Sequence, residues 1–121
     1  MSAAVLVGVA LLGGAGAVGR LLLDGAVSAR TGRAFPWGTL AVNLSGAFVL
    51  GLLTGAALSG DGLRLVGTGL LGAYTTFSTW ALETHRQAED GRDRHALLNL
   101  AVSLVAGLAV AWAGHRLGRS L

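Results

Sequence analysis

Hydrophobic residues gather along the chain into four long runs, and the polar residues are pushed between them. The runs cover residues 3–23, 37–58, 65–84 and 96–113. As a helix, each can cross a hydrocarbon core about 30 Å thick, which takes roughly 17–25 residues. The pattern predicts an all-α membrane protein with four transmembrane helices in one domain over 1–121. The connections at 24–36, 59–64 and 83–95 hold nearly all the charge and turn residues. Ala15-Gly16-Ala17 resembles a signal-peptide cleavage site. No basic residue precedes the run, however, and it continues past Arg20 to Leu23, so the first span is expected to be retained.

Composition narrows the class further. The chain is 53% hydrophobic and only 12% charged, with mean hydropathy +0.65. A soluble domain would have too few charges to cover its surface. With no cysteine, a disulfide scaffold, thiolate metal sites and cysteine nucleophiles are excluded. The net charge of +3 comes from nine basic residues, all Arg, scattered mostly between the apolar runs. They read as membrane flanks, and no nucleic-acid partner is expected. Arg20, Arg30, Arg33, Arg86, Arg92 and Arg94 lie toward one side of the bilayer, and Arg64, Arg116 and Arg119 toward the other. The bias favours termini outside. It is small enough to leave both orientations open.

Twenty glycines exceed what lipid-facing filler needs. Gly8, Gly13, Gly14, Gly16 and Gly19 cluster in the first run, and Gly46, Gly51 and Gly55 recur four or five apart in the second. Small residues at that spacing let helix backbones approach, which drives packing where the hydrophobic effect cannot. Four short helices enclose little aqueous path alone, so a dimer or larger assembly is expected.

Polar residues inside the runs are few. An amide such as Asn43 in hydrocarbon must find a hydrogen-bond partner or face a pathway. The third run holds Gly67, Gly69 and Gly72, then Tyr74-Thr75-Thr76-Phe77-Ser78-Thr79-Trp80. So much glycine and hydroxyl suits a helix broken at membrane depth, tolerated only where the backbone is buried in protein or lines a cavity. A break frees carbonyls that can hold a cation and N–H groups that can meet an anion. Phe77 and Trp80 are three apart and share a face, as do Asn99 and Ser103 in the fourth run. His85, His95 and His115 lie outside the spans or at their edges and read as solvated or interfacial.

No Asp, Glu or Lys stands in the middle of a span, which disfavours a proton-coupled relay or a carboxylate-ringed cation pore. No catalytic constellation is present, so an enzyme is not expected. What remains is a neutral track of hydroxyls, amides and aromatic edges. Such donors favour a small anion without holding it too tightly to conduct. These residues alone do not single out fluoride.

Three motifs supply that step. Gly13-Gly14-Ala-Gly-Ala-Val-Gly19-Arg20, Gly38-Thr39-Leu-Ala-Val-Asn43-Leu-Ser-Gly46-Ala-Phe48-Val-Leu-Gly51 and Gly72-Ala-Tyr-Thr75-Thr76-Phe77-Ser78-Thr79-Trp80 stand in order in separate spans. With Ser103 and Gly107 in the fourth, the chain resembles the Fluc (CrcB) fluoride channels over nearly its whole length. The resemblance implies an antiparallel dimer with two pores, a broken third helix and passive efflux of fluoride across a bacterial inner or plasma membrane. It also implies a structural sodium ion at the dimer centre, not transported, held by backbone carbonyls that match Gly72 and Thr75. The fluoride pathway would include Asn43, Phe77, Ser78, Thr79 and Ser103, with Trp80 where the family has a second phenylalanine. Arg20 matches a vestibule or structural arginine, and Asn99 falls where a tyrosine is often found. Trp80, Asn99 and the charge bias fit a heterodimer with a second homologous subunit as well as a homodimer. Two other readings are a non-conducting partner subunit and a small multidrug-resistance type transporter. The latter lacks its first-span glutamate here.

Overall fold

The computed structural model describes residues 1–121, all of it helix and short turns. Helix α1 (Ala3–Thr31) starts at Ser2, whose hydroxyl accepts the Val5 N–H at 3.2 Å. It continues eight residues past the expected span end at Leu23. Nothing in 24–31 breaks a helix, and Ser28 donates to Asp24 Oδ1 one turn back at 3.2 Å. It stops at Gly32, where φ is 76° and the N–H returns to the Ser28 carbonyl at 2.8 Å. That left-handed position suits glycine, the only residue without a Cβ penalty there.

Helix α2 (Trp37–Gly55) follows Pro36. A short α3 (Gly60–Gly62) then opens into a π-helical stretch, Leu63–Leu71, and closes with one more α turn, α4 (Gly72–Tyr74). The chain is extended at Thr75 (φ −77°, ψ 157°) and resumes as α5 (Ser78–Glu89). Helix α6 (Asp93–Arg119) completes the molecule. The connection expected over 83–95 shrinks to the turn at 90–92, because α5 and α6 both run beyond the apolar residues.

Three helices, α1, α2 and α6, are long and apolar enough to cross a membrane. The remaining helical chain, from Gly60 to Glu89, is bent as the third run predicts. Two parallel pairs make up the molecule. Helix α2 lies on α6 through reciprocal glycines, Gly51 and Gly55 on one side and Gly114 and Gly118 on the other. A Cβ at each would strike the carbonyl oxygen of Ala111, His115, Phe48 and Leu52 respectively. Both halves of this seam, Gly51/Gly55 and Gly114/Gly118, have the small-xxx-small spacing that lets backbones touch in a membrane.

Helix α1 lies on the π-helical stretch, where a Cβ at Gly69 would come within 3.2 Å of Val9 Cα. A π-helix is rarely sustained, and such stretches recur at functional sites. Here Gly67 and Gly69 are buried in it, and the Gly72 N–H still bonds back five residues to the Gly67 carbonyl.

Candidate functional site

The break at Thr75–Phe77 strips backbone groups of their helical partners, and a side chain from another helix replaces them. Asn43 Oδ1 accepts the Thr76 N–H at 2.8 Å, and Asn43 Nδ2 donates to the Thr76 carbonyl at 2.9 Å. The amide thus pairs with a peptide group at both ends. Asn43 satisfies an interhelical bond and lines an open hollow at the same time.

Thr76 then starts the second half of the bent helix. Its Oγ1 accepts the Thr79 N–H at 3.1 Å, the bond of an N-cap side chain, and donates to Thr79 Oγ1 at 3.1 Å. Thr75 turns back instead, its hydroxyl donating to the Leu71 carbonyl at 3.0 Å. On the first half, the carbonyls of Gly72, Ala73, Tyr74 and Thr75 accept no hydrogen bond. These are orphan acceptors of a helix C-terminus, where the dipole is negative.

The hollow holds about 400 Å³ and lies between α2, the π-helical stretch, the break and α6. Asn43, Thr75, Thr76, Phe77, Trp80 and Ser103 contribute its polar and aromatic lining. No ionisable side chain lines it. Phe77 is 76% exposed and meets Trp80 edge-on, with ring centroids 5.4 Å apart. Those two rings also border a second hollow along α5 and α6, so they stand between the two.

Most donors around the hollow beside the break are already engaged. The Trp80 indole N–H goes to the Asn99 backbone carbonyl at 3.3 Å, so the extra donor of an indole is not free. Ser103 donates to Asn99 Oδ1 over a long 3.4 Å. Left over are the second amide hydrogen of Asn43 and the positive edges of the rings. An anion entering there meets weak, exchangeable donors and no fixed charge.

Of the other residues singled out, Ser78 and Thr79 begin α5 outside the hollow's lining, with Ser78 Oγ 3.5 Å from Thr76 Oγ1. Gly72 and Thr75 do line it. Arg20 lies on α1 away from the hollow, with its Nε enclosed and without a partner. Three contacts have no counterpart in the motif reading. Thr39, 2% exposed, donates to Glu83 Oε1 at 2.6 Å. Ser45 and Tyr74 share a hydrogen bond of 2.9 Å. Asn99, 1% exposed, donates to Thr84 Oγ1 at 2.7 Å. The signal for the last is present in the sequence: an asparagine in an apolar run demands a partner, and Thr84 is a hydroxyl in the middle of the facing helix α5.

Comparison with known proteins gives one answer. Residues 7–115 match the family described as CrcB-like protein, Camphor Resistance (CrcB). The chain is 56% identical over 116 residues to a fluoride-specific ion channel, FluC 2, of Mycolicibacterium paratuberculosis, covering 96% of this chain and 95% of the relative. It is 49% identical to FluC 1 of Symbiobacterium thermophilum over 120 residues, with 94% and 95% covered. To FluC of Geobacter sulfurreducens it is 47% identical over 121 residues, with 96% and 98% covered. The uncharged hollow at a clasped helix break is therefore set in a chain that belongs to the CrcB-like family.

Proposed function

We propose that this chain is a subunit of a fluoride-selective channel that lets fluoride leave the cytoplasm passively across the cell membrane. The observation that carries the reading is the helix break itself. Asn43 clasps its backbone, Phe77 presents an exposed ring beside it, and the hollow they share has no ionisable lining. The near relatives named as fluoride-specific channels point the same way.

In this reading, the bent chain Gly60–Glu89 is a fourth crossing beside α1, α2 and α6. A dehydrated fluoride would pass the Asn43 amide, the edges of Phe77 and Trp80, and the Ser103 hydroxyl. Ser78 and Thr79 extend the hydroxyl set at the start of α5, and Arg20 serves the vestibule or the framework. Each contact is weak enough to release the ion, as conduction requires. The driving force is external: a membrane potential worth about 2.3 kcal/mol per charge per 100 mV pushes the anion out of a negative interior. No catalytic step is involved.

A hollow that opens to the outside of a single chain fits a pathway completed by a second subunit, antiparallel to the first, with two pores per dimer. The free carbonyls of Gly72 and Thr75 suit a hard cation such as sodium, which takes oxygen ligands. Two carbonyls from each subunit would hold it, and it would fix the two breaks against each other without moving. Replacing sodium by a large organic cation in the buffer should then weaken the dimer in detergent, read by size-exclusion chromatography. An unchanged dimer in sodium-free buffer would remove the sodium assignment.

Fluoride efflux from liposomes holding this chain alone, followed with a fluoride electrode beside a chloride control, tests the function. Rapid release of fluoride but not chloride is expected. A second reading, in which the chain works only beside a different homologous subunit, is favoured by Trp80, whose indole is fixed at the hollow by Asn99. In that case efflux appears only after co-reconstitution with the partner. No efflux in either preparation would overturn the channel reading.

A further inference from the structure

A chain of hydrogen bonds behind the hollow has a fixed direction. Thr84 Oγ1 donates its single hydrogen to the Trp80 carbonyl at 2.8 Å. The same oxygen is 2.7 Å from the Asn99 amide, so there it must accept, and the NH2 of Asn99 must face it. The amide orientation is thereby set by its partners, which is how such assignments are made. Asn99 is 1% exposed, so its amide is fixed by protein partners and not by the surrounding solvent. Its Oδ1 is left facing Ser103, as an acceptor. The Ser103 hydrogen is consequently committed to Asn99, a residue that does not line the hollow, and is not offered to the hollow that Ser103 itself lines.

An anion next to Ser103 needs that hydrogen. We propose that Asn99 is a positioning residue that holds the Ser103 hydroxyl hydrogen in reserve and yields it when fluoride arrives. The inference rests on Ser103 belonging to the fluoride path. At 3.4 Å the Ser103–Asn99 bond is long, so the rotor leaves it readily. The competition lowers the affinity of this one step and speeds release of the ion. Trp80 belongs to the same device, because its carbonyl ends the relay and its indole N–H returns to the Asn99 backbone.

The test is a double-mutant cycle on reconstituted channel, reading both the half-saturating fluoride concentration and the saturated efflux rate. Asn99→Leu removes the competing acceptor at similar volume. It should lower the half-saturating concentration about two- to tenfold, the worth of one neutral hydrogen bond, and slow saturated efflux. Thr84→Val releases the amide from its anchor without touching Ser103 and should shift both readings the same way, which covers a poorly folded Asn99 variant. In the Ser103→Ala background, both effects should vanish. Persistence of the Asn99→Leu effect there would mean a merely structural role and would overturn the proposal. If Ser103→Ala alone leaves efflux unchanged, Ser103 is off the path, and the proposal falls with that assignment while the channel reading stands.

Discussion

Asn43→Ala is expected to abolish most fluoride efflux and to destabilise the fold at once. The substitution removes both bonds to Thr76, leaving a backbone N–H and a carbonyl unpaired at the helix break. Each unmet group costs about 1–3 kcal/mol where water cannot replace the partner. Thr76 also caps α5 through its hydroxyl, so a loosened break loosens the start of that half-helix. Efflux should drop by more than about tenfold, since a shift of only 1.4 kcal/mol already gives that factor. Thermal unfolding in detergent should move to lower temperature together with it. Asn43→Asp separates the two effects. A carboxylate accepts the Thr76 N–H but cannot donate to the Thr76 carbonyl, and its charge repels an anion. Stability should fall by about half as much, with efflux still lost. Full efflux in the alanine variant would take Asn43 out of the pathway.

Phe77→Ala should give the opposite pattern, a large loss of efflux with little change in stability. The side chain is 76% exposed in the subunit, and its ring contact is the edge-on meeting with Trp80. Such a pair is worth about 0.5–1.5 kcal/mol beyond area burial. What the alanine removes is the aromatic edge at the boundary between the two hollows. Efflux should fall more than about tenfold, while the unfolding temperature stays close to that of the parent. Phe77→Leu keeps the bulk without the quadrupole. If it conducts as well as the parent, the ring's charge distribution plays no part and only its volume matters.

The contrast between these two residues shows how far the sequence carries. Helices α1, α2 and α6 are legible as apolar runs, because a bilayer admits only segments that satisfy their own backbones. Their ends are not legible in the same way. Beyond the hydrocarbon, hydropathy stops constraining the chain, and local features such as Gly32 and Gly91 decide where the helix stops. The break is announced by glycines followed by hydroxyls. Its placement at Thr75–Phe77 is not, since it depends on an amide 33 residues away meeting Thr76. The π-helical stretch leaves no trace in composition; only the structure shows the wider turn and the close approach of its Gly69 to α1. Of the residues that the motifs single out, Asn43, Phe77, Trp80 and Ser103 line the hollow and Ser78 and Thr79 do not, and the direction of their hydrogens is not legible in the motifs at all. That the Trp80 N–H and the Ser103 O–H both point to Asn99 follows only from the three-dimensional network.

The clasp between Asn43 and Thr76 also orders events during synthesis. Chains are made from the N-terminus, so α2 is in the bilayer before the broken segment emerges. Until it meets Asn43, the Thr76 peptide group has no partner and resists leaving water. If the bent segment is the proposed fourth crossing, it should therefore enter lipid poorly by itself and well once α2 precedes it, which would make one asparagine an insertion aid for a later segment. Cells carrying a chain altered at residue 43 would then be short of correctly integrated protein, before any question of conduction arises.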